Sequence, residues 1–263
     1  MDLGIAGRGA LVCASTQGMG RAIAARLAAE GCHVAVNGRD DARTTAVAAA
    51  LARDTGATVV AAPGDVADPR AVATLVARAR EHLGTIDILV CNSGGPPSVL
   101  FADATAEQWQ EALDVNLLSA IHLCRGTVPA MRDRRWGRVI CLTSVAAKQA
   151  IPGLILSTTA RAGVLGFSKT LADEVAADGV TVNVVCPGYM RTERLTELMT
   201  VRAERAGRTV EALTADLVQG VPIRRIGDPD ELAAAVAFLV SEPARYITGA
   251  VLQVDGGSTR SIF

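Results

Sequence analysis

Seven short apolar runs recur along the chain, each followed by a longer Ala- and Leu-rich stretch with helical spacing. The runs occupy residues 9–14, 33–37, 58–62, 86–91, 138–143, 181–186 and 250–254, with helical stretches such as 20–30, 43–53, 69–82 and 157–177 between them. A near-continuous apolar strand is one covered on both faces. A helix between two such strands lets the second lie parallel to the first. The alternation therefore predicts an α/β fold, a doubly wound and mostly or wholly parallel seven-stranded sheet with helices on both sides. No linker, repeat or low-complexity tract breaks the rhythm, so one domain over 1–263 accounts for the length.

Composition removes several classes of function. Basic and acidic residues number 26 and 27, a net charge of −1, so the sequence carries no electrostatic footprint for nucleic acid or an anionic membrane. The Arg132, Arg134, Arg135 and Arg138 cluster reads as a solvated helix end. No apolar run approaches the ~20 residues of a membrane helix, and the first residues lack a basic n-region and a cleavage site. A soluble, cytoplasmic protein is expected. The six cysteines form no CxxC pair and have no histidine at ligand spacing, so free buried thiols are expected and a metal is not.

Some boundaries are written in local chemistry. Thr105-Ala106-Glu107-Gln108 is a capping box that opens the helix carrying Trp109 and Asn116. Asp228-Pro229-Asp230-Glu231 is a helix start, with Pro and acids in the first turn. Residues 189–220 are polar, Arg-rich and without clear periodicity, and they follow a strand's carboxyl end. A substrate lid is expected there.

After the first apolar run stands Cys13-Ala14-Ser15-Thr16-Gln17-Gly18-Met19-Gly20, leading into a helix. A tight turn into a helix N-terminus offers free N–H groups and the positive end of the dipole, which suits a pyrophosphate. Glycine lets backbone and ligand approach closely.

The spacing resembles the TGxxxGxG fingerprint of the short-chain dehydrogenase/reductase family, and further family motifs follow in order. They are Asp65-Val66, Cys91-Asn92-Ser93-Gly94, Asn116, Ser144, Pro187-Gly188 with Met190 and Thr192, Arg225-x-Gly227-x-Pro229-x-Glu231, and Thr248-Gly249 with Asp255-Gly256-Gly257. The resemblance spans essentially the whole chain and is nearest to the 3-oxoacyl-carrier-protein-reductase-like branch. It implies a Rossmann-type domain and a nicotinamide dinucleotide held by Ala14, Ser15, Gln17, Gly18, Met19, Gly20, Asn37, Arg39, Asp65, Val66, Asn92, Gly94, Arg161, Pro187, Gly188, Met190 and Thr192. It also implies a small-molecule substrate and a homodimer or homotetramer. The fingerprint's first Gly is Ala14 here, which a negative φ would accommodate.

An acid at the end of the second strand holds the ribose 2′-hydroxyl of NAD. This chain has Asn37-Gly38-Arg39, and Arg39 offers a charge-assisted fork for a 2′-phosphate. NADP is therefore expected over NAD, although Asp40 and Asp41 follow directly.

In the family, a Ser after the fifth strand polarises the carbonyl. A Tyr thirteen residues on moves the proton, and a Lys four beyond assists. Ser144 fits the first place, but the other two hold Ser157 and Arg161, so YxxxK has become SxxxR. A serine hydroxyl is a poor acid, and an Arg holds its charge without passing a proton.

Three readings follow. One is an NADPH-dependent oxidoreductase acting on a carbonyl or imine. Its proton comes from water, from Tyr189 beside the Pro187-Gly188 turn, or less directly from Lys148, with Ser144, Ser157, Arg161 and Asn116 completing the site. A second is a catalytically silent NADP(H)-binding sensor or scaffold. A third is a non-redox dehydratase or cyclase. Apolar walls at Gly94-Gly95-Pro96-Pro97 and 150–154 point to a hydrophobic or cyclic substrate. Arg191 and Arg194, near the lid, read as surface charges before carboxylate ligands. Ala160, Gly163 and Gly166 put small residues on one helix face, for close approach to the sheet or to another subunit.

Overall fold

The computed structural model describes residues 1–262. Its strands are β1 (Gly9–Val12), β2 (His33–Val36), β3 (Val59–Ala61), β4 (Ile88–Cys91), β5 (Gly137–Leu142), β6 (Val180–Pro187) and β7 (Val251–Val254). All pair in parallel, in the order β3-β2-β1-β4-β5-β6-β7. The order reverses between β1 and β4, so the loops leaving their carboxyl ends diverge and open a crevice, the place where such sheets bind ligands.

Strand alternation sorts the core into two layers. Leu11, Leu89, Val139 and Val182 point to one face, where Leu75 of α3 (Pro69–Leu83), Leu123 of α5 (Ser119–Asp133) and Val164 of α6 (Ile155–Val175) cover them. Val12, Val34, Ile88, Ile140 and Val185 point to the other. There Ile23 and Leu27 of α1 (Gly18–Ala29), Leu51 of α2 (Asp41–Thr55) and Val236 of α9 (Pro229–Leu239) complete the layer. With both faces covered, a strand needs apolar residues at every position, which is why the runs are continuous.

The capping signals act as written. Thr105 and Gln108 close a reciprocal box on α4 (Ala106–Leu113), and Asp228 and Glu231 do the same on α9. Between α4 and α5 the helix widens into one π-helical turn, Asp114–Leu118, which carries Asn116.

Two expectations are corrected. The 189–220 stretch is two helices, α7 (Glu193–Ala206) and α8 (Val210–Gly220), each opened by a threonine cap, Thr192 Oγ1 from Leu195 N–H and Thr209 Oγ1 from Ala212 N–H. Each carries an apolar stripe at helical spacing, Leu195, Leu198, Met199 and Ala203 on α7 and Leu213 and Leu217 on α8, set within polar, Arg-rich sequence. Arg138 is no solvated helix end. It is 3% exposed within β5, its guanidinium 4.3 Å from the Trp136 ring centroid and 3.5 Å from the Glu242 carboxylate.

The six cysteines are buried and free. Among the described residues no helix is long and apolar enough to cross a membrane, and no His/Cys/Asp/Glu group is arranged to hold a metal.

Candidate active site

The turn after β1 brings three chain segments together. Ala14 has φ +45°, so the negative φ expected for it is not found. A left-handed alanine costs about 1–2 kcal/mol, and neighbouring side chains hold it there. Its N–H donates to Asn37 Oδ1 at 3.1 Å, and its carbonyl accepts from Asn92 Nδ2 at 3.2 Å. Gly20 is where the helix meets this turn, since a Cβ on it would lie 2.3 Å from the Ala14 carbonyl oxygen.

Gln17 takes the N-cap position of α1 without capping it. Its side chain accepts instead from Arg43 Nη2, and no acid occupies the first turn. The helix thus presents N–H groups without side-chain partners and an unneutralised positive end. Gly18, at φ +54°, faces Thr192, while Met19 packs half-buried against the core. Ser15 is fully buried, its hydroxyl donating to the Val12 carbonyl at 2.6 Å and its N–H to the Asn37 carbonyl at 2.8 Å, so it shapes the turn.

At the end of β2, Asn37 is also buried. Its Nδ2 donates to the Ala62 and Gly64 carbonyls at 2.9 and 3.0 Å, which stitches β2 to the end of β3. Arg39 is exposed beside this seam and has no ion-pair or hydrogen-bond partner among the described residues. The acids after it are otherwise engaged: Asp40 caps α2 through Arg43 N–H at 2.7 Å, and Asp41 accepts from Thr45. Asp65 is exposed and turns back to Ala67 N–H, with Val66 buried beside it.

Gly94 stands in open space, with no atom within 4 Å of a Cβ built on it. Gly188 backs onto Asp255, whose Cα would lie 2.8 Å from a Cβ there, and its N–H donates to the Val254 carbonyl. Met190 is 5% exposed, and its side chain packs over Gly227. The uncapped α1 terminus and the open space over Gly94 together fit a nicotinamide dinucleotide.

At the reacting end, Ser144 opens a short 3₁₀ turn, Val145–Ala147. Its Oγ accepts from Ala146 N–H at 3.1 Å, which leaves its own proton to donate. Asn116 donates to the Ala112 carbonyl and accepts from Ser93 Oγ. Ser157 and Arg161 are each 8% exposed on α6, and Arg161 Nε donates to Ser157 Oγ at 3.2 Å. Arg161 Nη1 reaches the Thr143 carbonyl at 2.9 Å. Burial pushes this guanidinium down to about 10, with Cys186 countering and Arg194 adding to the effect. No carboxylate pairs with it among the described residues.

A cavity of about 620 Å³ begins at Val145, the residue after Ser144, roofed by α7 and α8 and walled by Ile151, Met199, Leu213, Leu217 and Val221, while Ser144, Ser157 and Arg161 themselves lie outside its lining. The Tyr189 side chain lines it, and the hydroxyl has no partner among the described residues. Lys148 is half-buried near Cys186, whose thiol burial pushes up. Arg191 is spent on Asp228 at 2.9 Å, and Arg194 ties α7 to the Pro96 carbonyl at 2.9 Å. Ala160 is core, and Gly163 lets α6 close on Leu117 of its own chain, where a Cβ would meet Cδ2 at 3.0 Å. Sequence reasoning missed the cavity-lining residues of α7 and α8, Arg202 among them. The Thr192 and Thr209 caps were the signal that could have found those helices.

An all-parallel doubly wound sheet with a glycine-bearing β1–α1 turn at its switch point defines a dinucleotide-binding α/β domain. The family model described as Enoyl-(Acyl carrier protein) reductase matches residues 13–259. The chain is 39% identical over 251 residues to the 3-oxoacyl-[acyl-carrier-protein] reductase FabG of Haemophilus influenzae, covering 95% of this chain and 98% of that protein. It is 34% identical to the D-beta-hydroxybutyrate dehydrogenase of Rhizobium meliloti, with 95% and 98% covered. The L-sorbose reductase of Gluconobacter frateurii, solved with NADPH and L-sorbose, superposes with a TM-score of 0.95 at 33% identity over 100% of both chains. The chain belongs to the short-chain dehydrogenase/reductase family, in its 3-oxoacyl-carrier-protein-reductase-like branch.

Proposed function

We propose that the chain is an NADPH-dependent oxidoreductase that reduces a carbonyl or imine of a small hydrophobic or cyclic substrate. The observation that carries this reading is Arg39, an unpaired cation at the end of β2 beside an uncapped helix terminus. A 2′-phosphate gives that guanidinium a partner, and NAD does not. The relatives' names cover a thioester, a hydroxy acid and a sugar, so the substrate class rests on the cavity and not on them. When bound, the reduced nicotinamide supplies a hydride.

The chain's own residues do the rest. Ser144 donates to the reacting oxygen. Arg161 holds the ribose side of the site and fixes Ser157 by the Nε–Oγ hydrogen bond, so that the serine proton is left for the oxygen. Negative charge developing on that oxygen is stabilised by the buried guanidinium in a low dielectric. The final proton comes from solvent or from Tyr189, a residue of the cavity lining. Loss of a phenolic acid forfeits part of the ~10²–10⁴ in rate that general acid catalysis supplies, while alignment is retained.

The same Ser157–Arg161 bond favours the silent-binder reading, because the pair satisfies itself. Following NADPH absorbance with cyclic ketones, quinones and cyclic imines separates the two. Oxidation on any of them supports the reductase. Tight NADPH binding without oxidation leaves the binder.

A further inference from the structure

We infer that the substrate carries a carboxylate, and that Arg202 on α7 is the residue that selects it. This rests on the reading of the cavity as the substrate site and names the class of molecule that fills it. The cavity of about 620 Å³ is lined largely by apolar side chains, which fits an aliphatic or alicyclic body. Three charged or titratable groups face it: Tyr189, Arg202 and Asp216. Asp216 is already taken, its carboxylate 2.7 Å from Arg208 Nη1 across the α7–α8 turn. Arg202 is half-buried, and it makes no ion pair or hydrogen bond with any described residue.

Position and lack of a partner together single it out, since Arg205 on the same helix is also unpaired among the described residues but is exposed and outside the cavity lining. Arg191, Arg194 and Arg208 on the same lid are all engaged with acids or a carbonyl. A half-buried cation in a cavity wall with no protein partner has its charge and donors left for a ligand. Arginine's planar fork matches a carboxylate by two parallel hydrogen bonds. With the reacting group at the Ser144 end, beside Val145, and the carboxylate on the lid, the class is an oxo acid with an apolar spacer.

The test uses the full-length protein loaded with NADP⁺ and titrated calorimetrically with cyclohexanecarboxylate and, separately, cyclohexanecarboxamide. The acid should bind about tenfold or more tighter than the amide, the size of a hydrogen bond to a charged group. Arg202→Gln should erase that preference while leaving NADPH affinity and melting temperature unchanged, and Arg202→Lys should restore part of it. Asp216→Asn, which removes the one carboxylate in the lining, should tighten the acid further. Equal binding of acid and amide, no binding of the acid, or a preference surviving in Arg202→Gln overturns the inference.

Turnover keeps the two proposals apart. NADPH oxidation on cyclohexanone and 4-oxocyclohexanecarboxylate without preference for the acid retains the reductase and sinks the carboxylate site. Acid binding through Arg202 with no ketone reduced does the reverse. Faster reduction of acetoacetyl-CoA than of either ketone, lost in Arg202→Gln, assigns Arg202 to a carrier phosphate and also overturns the inference.

Discussion

Arg161 Nε and Ser157 Oγ lie 3.2 Å apart across one turn of α6, inside the protein and with no carboxylate paired to the guanidinium among the described residues. The fold thus buries a charge whose partners among the described residues are a hydroxyl and two carbonyls. A buried cation with neutral partners is a cost tolerated where a ligand uses it.

Replacing it should therefore stabilise the free protein. Arg161→Met loses three hydrogen bonds but also the desolvation penalty. We expect a net gain of about 1–2 kcal/mol, read as a melting temperature raised by roughly 2–4 °C, with NADPH affinity reduced. The sign with pH follows from burial, which holds the folded group near 10, below its usual 12.5. The folded state sheds its proton first, so the wild type gains stability from about pH 10 upward and its deficit against the variant narrows. Thermal melts of both proteins across that range check this.

Ala14 bears left-handed backbone strain at φ +45°. Ala14→Gly should raise stability by up to about 1 kcal/mol, the relief of strain offset in part by the added freedom of the unfolded chain. Cofactor binding should be unharmed. Gly20→Ala should abolish it, because the new methyl meets the Ala14 carbonyl oxygen at 2.3 Å. Calorimetry with NADPH and a denaturation curve test the pair.

Arg39 has no partner to lose within the protein. Arg39→Ala should weaken NADPH binding roughly ten- to a hundredfold, the worth of a charge-assisted hydrogen bond, and leave NADH affinity unchanged. Fluorescence titration with both cofactors measures the ratio.

How much of this was legible depends on the physics behind each signal. The seven strands and their parallel sheet followed from continuous apolar runs, because a doubly covered strand admits little else, while their order across the sheet came only from the structure. The caps at Thr105 and Asp228 are one-turn chemistry and were readable as such. The 189–220 helices were passed over because their polar, Arg-rich content outweighed a short apolar stripe, Leu195, Leu198, Met199 and Ala203, that stands at helical spacing. Arg138 was misplaced because its partners, Trp136 and Glu242, include one 104 residues away in sequence. Asn37 shows the other limit: a residue named for the cofactor spends its amide joining β2 to β3. At Ser157 and Arg161 the sequence told which groups stand at the reacting end. It could not tell that they bond to each other.

The α9 start carries an acid-sensitive element. Arg225, through the hydrogen bond to its guanidinium, and the Asp228 N–H hold the Glu231 carboxyl down to about 2, from an ordinary 4.5. A depressed folded value gives stability that is complete above the ordinary value and is lost as pH falls through about 2. Glu231→Gln should flatten that limb between pH 4.5 and 2 and leave the rest of the profile parallel. Unfolding monitored by circular dichroism over an acid series reads it.

The central claim is redox turnover from a site with SxxxR where the family has YxxxK. A single-turnover experiment tests it most directly, with excess protein, NADPH and a cyclic ketone, following cofactor absorbance and product together. The account predicts stoichiometric loss of NADPH matched by the alcohol, at a rate slowed in Ser144→Ala. NADPH bound tightly, with absorbance unchanged across ketones, quinones and imines, would contradict it.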